Sequence, residues 1–265
     1  LQPRWYKPIN HTLVIQSHRS PLPYSWINSC LDSVQEWCVL NDYEYQFFGD
    51  ELFDCLPAGL FEKTRNQKVI ASDLARLLVL KGALNRGYET VIWLDADFLI
   101  FNPAEFVLPD QPYVVGREVW VQNDRHGKLR VFKKVHNAFL MFRQGNHFLD
   151  FYSETAERLL LLNQGAMPPQ FIGPKLLTAI HNVAILPVME SAGMLSPAVI
   201  KGILGREGQA LDLFVNNSPV LITAANLCTS SCDKDEVSEM EMQQLIKLLS
   251  NGVLFHVDKN SGNHE

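Results

Sequence analysis

Hydrophobic positions in the first half of the chain alternate between strand-like runs and helical spacing. The apolar, β-branched run Thr12-Leu-Val-Ile-Gln16 predicts a first buried strand. Apolar residues then recur at helical spacing from 25 to 40, and residues 43–48 alternate like a second strand. A further helix is expected from an N-cap at Ser72 to a stop at Gly87. This order predicts an α/β, Rossmann-like fold with a mostly parallel central sheet flanked by helices.

The second half of the chain is less regular. In chain order it predicts strands at 113–115, 138–142 and 253–257 and helices at 147–163, 174–181 and 234–250. Residues 187–218 contain two prolines and several glycines, which predicts a loop-rich lobe.

Composition limits the protein classes that remain open. A chain of 265 residues with 47% hydrophobic residues and 20% charge fits a single domain over 1–265. The net charge of -6 argues against nucleic-acid binding. No apolar run is long enough for a membrane span, and no signal peptide is visible. Together with five cysteines that are expected to be reduced, this predicts a cytoplasmic protein.

An acidic pair follows the third predicted strand. The apolar run at 90–94 leads directly into Asp95-Ala-Asp97. In open α/β sheets, ligands bind beyond the carboxyl ends of the strands. Two carboxylates in one turn can share a hard cation such as Mn²⁺ or Mg²⁺, which takes phosphate oxygens as further ligands and offsets the charge of a departing diphosphate. The alternative is that both aspartates only cap the strand and begin a turn.

Several motifs around this pair resemble one enzyme family. They are Gln16-Ser-His-Arg-Ser20, Ala71-Ser-Asp73-Leu-Ala-Arg76, Trp93-Leu-Asp95-Ala-Asp97, Asn137-Ala-Phe-Leu-Met-Phe142, Phe171-Ile-Gly173-Pro174 and Phe255-His256. In this order they resemble GT-A glycosyltransferases with a DXD sugar-binding region. That group includes α-1,6-mannosyltransferases, capsular-polysaccharide transferases and the clostridial glucosylating toxins.

The resemblance implies a metal-dependent transfer of a hexose from a nucleotide-diphosphate sugar to an acceptor hydroxyl, with retention at the anomeric carbon. The donor would be a UDP-hexose or GDP-mannose, and the acceptor a glycan, lipid or protein. Residues 12–110 would form the nucleotide-sugar and metal-binding half, and 111–265 the acceptor-side half, with the C-terminal strand returning to the site.

The resemblance also assigns roles to individual residues. The catalytic set is Asp73, Arg76 and Asp97. The donor-binding set is Gln16, Ser17, Asp73, Arg76, Asp95, Asn137 and Gly173. The metal ligands are Asp95, Asp97 and His256.

Other interpretations stay open at the level of sequence. Asp73 and Arg76 stand at i and i+3 of one predicted helix, so they can also form a plain helical salt bridge. Asp73 and Glu190 are both conceivable nucleophiles, and no spacing selects either. A non-catalytic nucleotide-sugar-binding module and a phosphatase with an Asp-x-Asp motif are the competing functions. We expect Arg76→Ala to weaken donor use while the fold survives.

Overall fold

The computed structural model describes residues 11–205 and 208–252. Its strands are β1 Thr12–Ser17, β2 Glu44–Phe48, β3 Thr90–Leu94, β4 Phe98–Ile100, β5 Tyr113–Asn123, β6 Leu129–Arg143, β7 Val188–Met189, β8 Ala192–Met194 and β9 Ala224–Asn226. Its α-helices are α1 Ile27–Asn41, α2 Ala58–Thr64, α3 Lys68–Asn85, α4 Phe148–Leu162, α5 Pro174–Ala184, α6 Pro197–Gly205, α7 Gln209–Asn217, α8 Ser230–Asp233 and α9 Glu239–Ser250, with a 3-10 helix at Asp50–Cys55.

The central sheet has six strands in the order β2-β1-β3-β6-β5-β7. Strand β1 pairs in parallel with β2 and with β3, and β5 pairs in parallel with β7. Strand β6 runs antiparallel to both of its neighbours. The prediction of an α/β fold with a mostly parallel central sheet flanked by helices is confirmed.

Alternating side chains of the central strands bury against helices on both faces. Ile15 and Trp93 belong to the core cluster that includes α3 and α4. Val14 and Ile92 point to the other side, into the cluster that contains Trp37 of α1. Because successive strand residues face opposite sides, strands covered on both faces appear as the continuous apolar runs seen in the sequence.

After β3 the chain enters a small second sheet of three strands. Strand β4 begins one residue after the acidic pair and is antiparallel to β9, which pairs in parallel with β8. Strands that are more than 100 residues apart in the chain, β4 and β9, therefore meet beside Asp97.

The structure corrects three predicted elements in the first 150 residues. Helix α3 begins at Lys68, after Gln67, so Ser72 lies inside the helix and is not its N-cap. Strands β5 and β6 are far longer than the predicted 113–115 and 138–142 and form one extended hairpin. Gln67, which precedes α3, makes no side-chain capping hydrogen bond, so the sequence carries no capping signal at the true start of the helix.

Residues 187–218 are not loop-rich. They form β7, β8, α6 and α7, and the two helices bury an apolar face that includes Ile203 and Phe214 against β5. Burial on a sheet outweighs the weak helix propensity of glycine. The predicted helix 234–250 begins only at Glu239, after the Ser238 capping box. The predicted strand 253–257 lies outside the described residues.

No α-helix in the described ranges, 11–205 and 208–252, is long and apolar enough to cross a membrane.

Candidate active site

Asp95 is the first residue beyond the carboxyl end of β3. Its backbone N–H donates to the carbonyl of Ala138, which ties the turn to β6. Its Oδ1 accepts hydrogen bonds from the guanidinium of Arg76 at 2.9 Å and from the indole of Trp93 at 2.7 Å. Its Oδ2 makes no hydrogen bond to any residue in the described part of the chain, and 27% of the side chain is exposed. Asp95 therefore presents one free carboxylate oxygen at the end of the sheet.

Asp97 is held by residues from the far end of the chain. Its Oδ1 accepts from the side-chain amide of Asn226 at 2.6 Å, and its Oδ2 accepts from both the backbone N–H and the hydroxyl of Thr229, at 2.7 and 2.8 Å. Between these two partners, Cys228 adopts a left-handed backbone with φ 56. Non-glycine residues occupy this conformation only where the surroundings impose it. The orientation of Asp97 is thus fixed by β9 and the start of α8.

A buried polar network lies behind the acidic pair. Asp73 and Arg76 share one face of α3, with Arg76 Nη2 3.3 Å from Asp73 Oδ1. The Asn137 side chain donates to the same Oδ1 at 2.7 Å, and the Asn137 carbonyl accepts from Arg76 Nη1 at 2.8 Å. Three of the predicted site residues are therefore in direct contact, and Arg76 links them to Asp95.

Gly173 packs directly against Asp73 and Asn137 of this network. A Cβ at this position would lie 2.5 Å from Asp73 Oδ2 and 2.9 Å from Asn137 Nδ2. The backbone φ of -89 is ordinary, so the glycine is needed because of the close approach and not because of its conformation. Asp73 Oδ2 is buried and has no hydrogen-bond partner among the described residues.

Burial and charge shift the acidity of this group of carboxylates. Burial raises the pKa of Asp73 to about 6, although Arg76 and the hydrogen bond from Asn137 oppose the shift. Burial also raises the pKa of Asp97, and the neighbouring Asp95 raises it further, while Thr229 and Asn226 lower it. Two carboxylates that repel each other in one turn favour a nearby positive charge.

Gln16 and Ser17 are neighbours in the chain, but only Ser17 reaches a cavity. Gln16 is fully buried; its amide donates to the Asp95 carbonyl at 3.0 Å and its oxygen accepts from Tyr45 at 3.1 Å. It supports the Asp95 turn from below, which corrects its assignment as a donor-contacting residue. Ser17 ends β1 and lines a cavity next to the acidic pair.

Two cavities meet at the acidic pair. One, of about 440 Å³, runs past the ends of β1 and β3 and is lined by Ser17, His18 and Lys68. The other, of about 510 Å³, extends along the β5–β6 hairpin, and we call it the hairpin cavity. Arg76, Asp95 and Asp97 line both. In the sheet order β2-β1-β3, β2 lies on one side of β1 and β3 on the other, so the strand order reverses between β1 and β3. The junction lies at this topological switch point, where ligands usually bind in open α/β sheets.

The acidic pair suits a hard divalent cation. Asp95 offers a free oxygen, and like-charge repulsion on Asp97 would be relieved by a metal. No group of three or more His, Cys, Asp and Glu side chains within residues 11–205 and 208–252 is arranged to hold a metal. Further ligands would come from a diphosphate, from water or from residues outside the described ranges. The predicted third ligand, His256, lies outside the described residues.

Glu190, the other candidate nucleophile, is engaged elsewhere. Both of its carboxylate oxygens accept from Arg117 at 2.6 Å.

Several residues of the site were missed from sequence. Asn226 and Thr229, which orient Asp97, carry no local signal because their role depends on a contact over 129 and 132 residues of chain. Trp120 and Phe132 of the hairpin cavity had a detectable signal: the β-branched and aromatic runs Val119-Trp-Val121 and Val131-Phe132 flank the turn residues Asn123-Asp124 and Gly127, which indicates a hairpin.

Comparison with known proteins yields structural neighbours only. No protein-family model matches the sequence, and no curated protein matches it. A crystal structure of a glycosyltransferase involved in the glycosylation of the major capsid of PBCV-1 is 11% identical, with a TM-score of 0.48 over 90% of this chain and 99% of that chain. A 4-diphosphocytidyl-2C-methyl-D-erythritol synthase from Anaerococcus prevotii is 10% identical, with a TM-score of 0.32 over 61% of this chain and 82% of that chain. Likenesses this weak assign no function to this chain.

Proposed function

We propose that this protein is a metal-dependent glycosyltransferase that transfers a hexose from a nucleotide-diphosphate sugar to an acceptor hydroxyl. One observation carries the proposal: Asp95 and Asp97 lie together at the carboxyl end of β3, at the point where two cavities join. Such an arrangement lets a donor and an acceptor approach one metal site from two sides.

Asp95 and Asp97 are the residues that would hold Mn²⁺ or Mg²⁺. When bound, the cation would supply positive charge to the phosphate oxygens of the leaving nucleoside diphosphate. Arg76 acts on Asp95: its hydrogen bond to Oδ1 leaves Oδ2 to face the cavity. We assign Arg76, with Asn137 behind it, a positioning role in addition to the donor contact that the resemblance implies.

The cavity beside β1 is the proposed donor side. Ser17 and the end of β1 face it. Arg19 and Lys68 offer positive charge to a diphosphate, beside the carboxylates of Asp50 and Asp233. Asp73 lines the hairpin cavity beside Arg76 and Asn137, and we retain for it the contact with a donor hexose hydroxyl that the resemblance implies. Transfer with retention belongs to the same proposal, on the family resemblance.

The test is the release of nucleoside diphosphate from UDP-glucose, UDP-galactose, UDP-N-acetylglucosamine and GDP-mannose, each with and without Mn²⁺. We expect manganese-dependent release from one donor. Asp97→Asn should abolish it, while Asp212→Asn, the same change on the exposed face of α7, should leave it unaltered.

Thermal melting of both variants separates a chemical effect from a folding effect. Release of inorganic phosphate in place of a nucleoside diphosphate would instead indicate a phosphatase. Donor binding without any release would indicate a non-catalytic binding module. Full activity in Asp97→Asn would rule out the metal assignment.

A further inference from the structure

The β5–β6 hairpin carries an aromatic pair on its cavity side. Trp120 and Phe132 face each other across the two strands, and both line the hairpin cavity. Phe132 is 38% exposed. The same register places Glu118 opposite Lys134, and these residues also line the cavity. One face of the hairpin therefore forms a wall of the cavity that contains the acidic pair.

The other face of the hairpin explains why these aromatics are not core residues. Val119 and Val121 alternate with Trp120 and are buried in the cluster formed by α6, α7 and α9. The hydrophobic requirement of the hairpin is thus already met by the opposite face. Large aromatic side chains left on a cavity wall contribute little to the fold and point to contact with a ligand.

Hydrogen-bonding groups surround the aromatic pair. The Trp120 indole donates to Gln122 at 2.8 Å, and the ammonium of Lys134 lies 5.6 Å from the centre of the Phe132 ring. Gln170, Ser230 and other polar side chains complete most of the lining. An amphipathic ligand with hydroxyl groups around its edge and C–H groups on its faces matches this mixture, because polarised C–H groups are attracted to the negative face of an aromatic ring.

We propose that Trp120 and Phe132 form a stacking platform for a carbohydrate acceptor. The proposal rests on the proposed glycosyltransferase function and selects a glycan from the acceptor classes that the sequence left open. The platform shares its cavity with Asp95 and Asp97, so a sugar ring on it would present a hydroxyl towards the donor junction. A lipid chain would require a continuous apolar lining, and charged side chains interrupt this one.

The experiment is oligosaccharide binding by the whole chain on a glycan array, with and without UDP and Mn²⁺, followed by titration of the best oligosaccharide. We expect wild-type protein to retain a defined set of glycans. Trp120→Ala and Phe132→Ala should each raise the dissociation constant by about tenfold, the size expected for one aromatic contact. Trp120→Tyr, which keeps an aromatic face, should stay within about threefold of wild type.

Phe47→Ala is the matched control, because Phe47 is a strand aromatic of nearly equal exposure, 39%, on the edge strand β2. It should bind as wild type does. The same variants presented with phospholipid vesicles and with serine- and threonine-rich peptides test the other two acceptor classes.

Binding of vesicles or peptides without glycan binding would overturn the proposal, as would glycan binding that Trp120→Ala leaves intact. Donor turnover in a protein that binds no glycan would refute the platform and leave the proposed function standing. Glycan binding that depends on Trp120, in a protein that uses no donor, would support the platform and refute the transferase.

Discussion

Replacing Arg76 with alanine should destabilise the fold strongly, contrary to the expectation from sequence. The side chains of Arg76 and Asp73 are only 7% and 3% exposed. Removing the guanidinium leaves the Asp73 carboxylate buried, with Asn137 as its remaining donor. Breaking a buried ion pair by removing one partner costs about 3–5 kcal/mol, because the other charge stays uncompensated. That loss is a large share of a typical domain's total stability of about 5–15 kcal/mol.

The size of this effect should depend on pH. The pKa of Asp73 is already raised to about 6 in the folded protein, from 3.8, and Arg76 is the strongest influence that lowers it. Without Arg76 the pKa rises further. A carboxyl whose pKa is raised by folding stabilises the fold at low pH, and this contribution is lost as the pH rises through the folded-state pKa. The penalty of Arg76→Ala should therefore be greatest near pH 8 and smaller near pH 5, by at least about 1 kcal/mol.

Urea unfolding of the wild type and Arg76→Ala at pH 5 and pH 8 measures the loss of unfolding free energy and its dependence on pH. Arg65→Ala is the matched control: Arg65 and Glu62 form an i,i+3 pair at the same 3.3 Å, but their side chains are 68% and 70% exposed. That variant should change the free energy of unfolding by no more than about 0.5 kcal/mol. If Arg76→Ala costs no more than Arg65→Ala, or costs the same at both pH values, the reasoning about the buried network is wrong.

Three further changes probe other parts of the structure, each by urea unfolding. Gly173→Ala should lower the free energy of unfolding by about 1–3 kcal/mol, because the new Cβ would overlap Asp73. Gly59 is a helical glycine with open space where a Cβ would lie, so Gly59→Ala should raise it by about 0.5 kcal/mol. Equal effects of the two substitutions would show that the close approach at Gly173 does not matter. Burial lowers the pKa of His136 to about 4. As the pH falls from 6.5 to 4, the wild type should therefore lose about 3 kcal/mol of unfolding free energy relative to His136→Gln. Parallel pH profiles of the two proteins would show that this histidine does not titrate in that range. Ser238→Ala should cost about 1 kcal/mol through loss of the α9 capping box, and an unchanged midpoint would refute that role.

Features formed by neighbouring residues in the chain could be predicted from the sequence. Strand β3 and the acidic pair were visible because a buried strand and the turn after it occupy eight consecutive residues, 90–97. The contact between Asp73 and Arg76 was visible because helical periodicity brings i and i+3 together.

The missed features depend on distant parts of the chain. Helix α6 contains Gly202 and Gly205, and Gly208 precedes α7, which weakens a local prediction. Both helices form because β5 offers a surface on which to bury their apolar faces. The orientation of Asp97 depends on Asn226 and Thr229, which no local pattern connects to it. Gln16 was given a ligand contact because it lies in a motif, but the structure buries it under the Asp95 turn.

Calorimetric titration of UDP and GDP into the wild-type protein and Asp95→Asn, each with and without Mn²⁺, tests the proposed metal site. We expect one nucleotide to bind the wild type only in the presence of Mn²⁺. In Asp95→Asn, which loses the free carboxylate oxygen, affinity should fall by about tenfold or more. If binding is equally tight without metal, or is unaffected by Asp95→Asn, then Asp95 and Asp97 do not hold a cation for a nucleotide diphosphate.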